Sequence, residues 1–183
     1  KNPEQKDILG PAIWSPDGGQ IAIAQQDRFV FINVRTQDTK IITTSQQNMF
    51  IYDWYQKENA LLVGFLTNDG VMAKKFDIDS QQLSPLVTNV SGGFKLNQHD
   101  ELMFISEQKL SIGGQIVDLP LSPNERVSNT VVPVTNGVVL QSSTGNAHQL
   151  WLLDLNTKDR KTIMQLPEQV WRLEDITPNN DQY

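Results

Sequence analysis

The sequence predicts an all-β fold: a β-propeller or partial propeller of about four four-stranded blades, roughly 40 residues each, plus the start of a fifth. Three observations lead there. Short apolar runs such as Ile21-Ala22-Ile23-Ala24, Phe29-Val30-Phe31-Ile32 and Val138-Val139-Leu140 are separated by Asp-Gly, Gly-Gly and Asn-Gly pairs, which supply the positive φ of tight hairpins. Capped amphipathic helices with apolar residues at i, i+3, i+4 and i+7 are missing; the nearest approach is 100–110, where Leu102, Ile105 and Lys109 could share a face. Finally, two marks recur along the chain out of phase with each other, which a β-sandwich has no reason to produce.

The first mark is the residue before each polar turn that leads into an apolar strand: Trp14, Tyr55, Leu96, Val134 and Ile176, spaced 41, 41, 38 and 42 residues apart. The second is an Asn or Asp between apolar residues ahead of a polar turn: Asn33, Asp77, Asp118 and Asp154, spaced 44, 41 and 36 apart. Together they place the blades of a single propeller domain or fragment at about 11–45, 49–89, 92–120 and 127–167, with an extra strand at 170–176.

Blade one has strands expected near 12–14, 20–24, 29–34 and 40–44. In blade two, Thr67-Asn68-Asp69-Gly70 reads as the hairpin between the second and third strands. In blade three, Gly113-Gly114 reads as a hairpin between the last two strands, which would put Asp118 on the fourth strand and break the second mark there. Blade four follows, and 170–176 looks like the first strand of a fifth blade.

Composition sets further bounds. The chain has 183 residues, 38% of them apolar, enough for an ordinary globular core. Fifteen basic against twenty-one acidic residues give a formal charge of −6, so this segment lacks the basic surface that nucleic-acid backbones require. The longest apolar stretch, Ala60-Leu61-Leu62-Val63-Gly64-Phe65-Leu66, is far short of the roughly 20 residues of a membrane-spanning helix. Zero cysteines exclude disulfides, thiolate nucleophiles and thiolate metal sites. The chain starts at Lys1 without a Met or a signal-peptide pattern and is read as a piece of a longer protein.

The stretch Ile13-Trp14-Ser15-Pro16-Asp17-Gly18-Gly19-Gln20-Ile21-Ala22-Ile23 resembles the W-S-P-D-G-x-x-I-A-F repeat of TolB-like (WD-repeat-like) β-propellers. Pro presets φ at the second turn position, Asp caps the turn backbone and Gly takes the positive-φ site. Leu150-Trp151-Leu152-Leu153-Asp154-Leu155-Asn156-Thr157-Lys158-Asp159 is similar to the other half of that repeat, L-W-x-x-D-x-x-T-G, ending a third strand. The resemblance implies that Trp14 is a wedge between neighbouring blades. The architecture is shared by TolB, by serine-peptidase propeller domains and by the C-terminal sensor domains of ToxR/CadC-like regulators, so it does not fix a function.

Catalytic chemistry finds little support. His99 and His148 sit in polar turns with no second ligand nearby, and solvated turn residues are the expected reading. No Gly-x-Ser-x-Gly elbow accompanies them. The close acid pairs Asp77/Asp79, Asp100/Glu101 and Glu174/Asp175 read as solvated turn acids rather than a glycosidase pair. Asp17 and Asp69 read as turn formers, and neither a calcium loop nor a phosphate-cradling glycine loop occurs. The chain is therefore expected to be no enzyme and to use no cofactor or metal.

Aromatic residues are the remaining lead. Trp54 and Tyr55, with Trp171 and Arg172 on the strand at 170–176, are candidate anchors for a protein or peptide partner. Packing between blades is the commoner fate of such side chains. The expected function is a non-catalytic binding or sensing propeller. Its most specific form, implied by the resemblance, is the periplasmic sensor of a membrane-anchored bacterial transcriptional regulator, with the DNA-binding domain elsewhere. The alternatives are the substrate-gating propeller of a serine peptidase and a TolB-like envelope interaction module. Open edges at blades one and four would favour self-association.

Overall fold

The computed structural model describes residues 10–90 and 92–167. These form sixteen strands and, among the described residues, no helix. The strands make four antiparallel four-stranded meanders: β1 (Ile13–Trp14), β2 (Gln20–Gln25), β3 (Arg28–Asn33) and β4 (Thr39–Thr43); β5 (Met49–Trp54), β6 (Ala60–Thr67), β7 (Gly70–Asp77) and β8 (Leu83–Val90); β9 (Lys95–Leu96), β10 (Leu102–Ser106), β11 (Lys109–Ile112) and β12 (Gln115–Asp118); β13 (Arg126–Val134), β14 (Gly137–Thr144), β15 (Ala147–Asp154) and β16 (Arg160–Leu166). All-β architecture in four four-stranded sheets is what the sequence predicts. Two compact units divide the chain, Lys1–Val90 with the first two blades and Ser91–Tyr183 with the last two. The strand expected at 170–176 lies outside the described residues.

In the first unit, alternate residues of blade one point to blade two. Ala22, Ala24, Phe29, Phe31 and Ile42 are buried against Met49, Ile51, Trp54, Leu61, Val63 and Phe76. Phe29 lies 4.7 Å from Phe76, and Phe31 meets Trp54 edge-on at 5.9 Å. Offset and edge-to-face ring pairs add about 0.5–1.5 kcal/mol each beyond burial. Gly64 on β6 leaves room for the Tyr52 ring, with which a Cβ would collide.

The second unit repeats the plan with aliphatic residues around one tryptophan. Met103, Ile105 and Leu110 pack with Val127, Val131, Val138, Leu140, Trp151 and Leu153. Gly113 and Gly114, at φ +54° and +86°, form the two-residue turn between Ile112 and Gln115, the geometry that matches strand twist.

The second sequence mark has a structural cause. Asn33, Asp77 and Asp154 each end a third strand, and each side chain accepts backbone N–H bonds from the turn that follows: from Arg35 and Thr36 (3.0 and 2.9 Å), from Ser80 (2.7 Å), and from Asn156 and Thr157 (2.8 and 3.0 Å). Four residues after each, Gln37, Gln81 and Lys158 take left-handed φ of 62°, 59° and 64°. Asp118 breaks the series. The Gly113-Gly114 hairpin puts it on β12, a fourth strand, where it pairs with Lys109 at 3.0 Å.

In blade two the first mark is shifted by one residue. Trp14 pairs with Ile21 and Ser15 N–H donates to Gln20 O at 2.9 Å. The same relations in blade two join Trp54 to Leu61 and Tyr55 N–H to Ala60 O at 3.0 Å. Trp54, not Tyr55, is the counterpart of Trp14.

Candidate binding site

The candidate site is built from the two turns that follow these tryptophans. In the Ser-Pro-Asp-Gly turn, Ser15 Oγ donates to Asp17 Oδ1 at 2.7 Å and accepts from Gln20 N–H at 2.8 Å. Gly19 N–H donates to the same Asp17 oxygen at 3.0 Å, and Gly18 stands at φ +68°. The Ser15 hydroxyl, then the Gly19 amide, hold the Asp17 carboxyl below its ordinary range. Asp17 is therefore a fixed anion, and Ser15 is committed on both sides, a turn former rather than a nucleophile.

The facing turn is Gln56-Lys57-Glu58-Asn59. Below it the Tyr55 ring lies 5.0 Å from the Lys75 ammonium, which pairs with Glu58. Asn59 Nδ2 donates to Asp79 Oδ1 at 2.8 Å. Between the turns is an open polar cleft of about 290 Å³, lined by Ser15, Asp17, Gln20, Tyr55, Lys57 and Glu58 among others. Fixed acceptors on one wall and both charge signs on the other suit a polar or peptidic ligand.

The residues singled out from sequence divide as follows. Trp14 is 56% exposed, which corrects the expectation of a wedge: among the described residues of its unit no blade lies on its side of blade one. Trp54 and Tyr55 are buried at 4% and 6% exposure, so they pack inside and show the cleft at most an edge, which corrects their reading as protruding anchors. Ser15, Pro16, Asp17 and Gly18 form a turn, and Trp151 is fully buried. Trp171, Arg172, Glu174 and Asp175 lie outside the described residues. His99 is exposed in its turn, while His148 is on β15 rather than in a turn. Asp77 caps a turn and Asp79 accepts from Asn59, so this acid pair shares no target. Among the described residues, no three His, Asp or Glu side chains are grouped to hold a metal ion.

A second polar feature was not legible in the sequence. Glu125, 5% exposed, accepts from both guanidinium nitrogens of Arg160 at 2.6 and 2.8 Å, from Gln149 at 3.0 Å, from Ser122 N–H at 2.9 Å and from the Ser142 hydroxyl. Trp151 Nε1–H donates to Ser142 Oγ at 2.9 Å, and the Arg160 guanidinium stacks over the Trp151 ring at 4.3 Å. Arg160 above all holds the Glu125 carboxyl at about 2, against the opposing effect of burial. Thirty-five residues separate the two ions, and no local pattern links them.

No protein-family model matches the chain, and no curated protein matches it in sequence. Solved structures do match. TolB from Acinetobacter baumannii superposes with a TM-score of 0.68 at 15% identity over 87% of this chain, and the chain spans 44% of that TolB, less than half its length. Puromycin hydrolase gives 0.65 at 12% identity, covering 90% of this chain and 30% of the enzyme. The extracellular domain of a candidate one-component system from B. thetaiotaomicron gives 0.55 at 13% identity, covering 85% of this chain and 23% of that one. By fold, these four sheets are β-propeller blades, similar to those of TolB.

Proposed function

We propose that the chain is a non-catalytic propeller module that binds a protein or peptide partner, serving as the periplasmic sensor of a membrane-anchored bacterial transcriptional regulator whose DNA-binding domain lies outside this segment. The observation that carries the binding role is the cleft between the Ser15–Gly18 and Gln56–Asn59 turns. It presents fixed hydrogen-bonding groups, and its serine hydroxyl, Ser15, is spent on the turn. The likeness to an extracellular domain of a one-component system supports the sensor role. The likeness to puromycin hydrolase favours a second reading, the gating propeller of a serine peptidase. A TolB-like envelope module is the third.

The coding sequence around this segment separates them. An upstream winged helix followed by about 20 apolar residues is the expected result. A downstream Gly-x-Ser-x-Gly elbow would overturn the regulator in favour of the peptidase. On the isolated chain, peptide and glycoside panels should show no turnover; activity that survives repeated purification contradicts the non-catalytic reading.

A further inference from the structure

The cleft between the first two blades holds one charge that no described cation matches. At about 290 Å³ it stands at the bottom of the range of ligand pockets, roughly 300–1,000 Å³, with room for one side chain and its backbone. On its near wall Asp17 Oδ1 accepts from Ser15 Oγ at 2.7 Å and from Gly19 N–H at 3.0 Å. Oδ2 receives neither bond, and among the described residues no cation pairs with Asp17. The carboxylate is thus fixed in direction, ionised at neutral pH and open on one oxygen. On the far wall Glu58 takes the Lys75 ammonium, which also lies 5.0 Å from the Tyr55 ring. Asn59 gives an amide N–H to Asp79 at 2.8 Å, which leaves Asn59 Oδ1 to accept.

Each wall therefore offers an acceptor, Asp17 Oδ2 with a full negative charge and Asn59 Oδ1 without one. We propose that the cleft takes a guanidinium, the side chain of a single arginine in a partner's peptide segment, held between Asp17 and Asn59. A planar fork of five N–H donors serves acceptors on two walls at once, which a compact ammonium does less well. Lys57, the one cation lining the cleft, opposes a polybasic stretch and admits one positive residue within neutral backbone. The net charge of −6 draws such a segment in. Because Asp17 is exposed, the pair is screened and the contact is weak by itself. This assignment rests on the cleft being a peptide site, and not on the regulator role.

The test is a titration of the 183-residue chain with end-blocked Gly-Ser-Arg-Ser-Gly, followed by backbone amide NMR shifts. Shifts should concentrate at Gly18, Gly19 and Asn59 and saturate with a Kd on the order of 1 mM. The peptide with citrulline for arginine, alike in shape but uncharged, should bind about fivefold more weakly, and the lysine peptide should also bind more weakly. Asp17→Asn keeps an acceptor oxygen for Ser15 and Gly19 and puts an amide N–H where Oδ2 was, so it should melt with the parent and bind about fivefold more weakly. Asp69→Asn, in the hairpin at the other end of blade two, should bind like the parent. An arginine peptide held no better than the lysine or citrulline peptide overturns the guanidinium assignment and leaves the peptide site standing. Asp17→Asn binding like the parent does the same. If no peptide moves the cleft amides, the peptide reading of the cleft falls with it.

Discussion

The first two blades and the last two share one chain path but are held together by different chemistry. Between blades one and two the contact is a run of rings, Phe31 on Trp54 and Phe29 on Phe76, with polar groups kept to the turns. Between blades three and four it is aliphatic, and the wall of blade four behind it carries a buried ion cluster centred on Glu125 and Arg160. The repeat therefore dictates strand order, turn chemistry and which way a residue points. It leaves open what meets that residue. Trp54 and Trp151 find a neighbouring sheet, whereas Trp14, with the same position in its blade as Trp54, finds none among the described residues of its unit.

The comparison can be broken most severely at Trp151. Trp151→Ala removes a fully buried ring and takes a hydrogen bond from Ser142 and a stacking surface from Arg160. A loss of about 3–5 kcal/mol is expected in denaturant unfolding of the second unit. A loss below ~1 kcal/mol would mean that the cluster and the aliphatic core stand without it.

Arg160→Met comes next, since it strands the Glu125 carboxylate in a site built for a pair, at about 3 kcal/mol near neutral pH. The pH dependence sharpens the contrast between units. Glu125 has an unfolded value of 4.5 and a folded value of about 2, so its contribution is fully present above 4.5 and lost as pH falls through 2. The second unit should thus lose stability steeply over that window, and Arg160→Met should flatten the loss. In the first unit Asp17 and Asp77 are exposed carboxylates lowered mainly by turn hydrogen bonds, with a smaller contribution from Lys75 at Asp77, and its acid limb should be shallower. Equal acid limbs, followed by separate probes in each unit, would contradict this.

The smallest effects test the repeat itself. Asp154→Ala and Asp77→Ala each remove the acceptor for a turn and should lower melting by a few degrees at most. Asp118→Ala, whose side chain is 84% exposed in a surface ion pair, should leave melting unchanged. If all three behave alike, the third-strand cap is not what the second mark records.

What was legible in the sequence was local. Ser15-Pro16-Asp17-Gly18, Thr67-Asn68-Asp69-Gly70 and Gly113-Gly114 announce turns because positive φ and side-chain capping are decided within four residues. Asn33, Asp77 and Asp154 were legible for the same reason. The error at Tyr55 came from two adjacent aromatics: only strand pairing decides which one occupies the Trp14 position, and a slip of one residue reverses the face. Trp14's exposure and the Glu125–Arg160 pair depend on what lies across space. The cleft was half legible, since its first wall is the Ser-Pro-Asp-Gly motif and its second, Gln56-Lys57-Glu58-Asn59, reads as an ordinary polar turn.

The central claim, that repeat position sets orientation while the neighbouring blade sets burial, is tested most directly by Trp54→Ala beside Trp14→Ala. Both should be unfolded in denaturant at concentrations where the chain is monomeric. Trp54→Ala is expected to lose about 3–5 kcal/mol and Trp14→Ala less than about 1 kcal/mol. Equal losses would contradict the account, showing that Trp14 is covered in solution within a single chain.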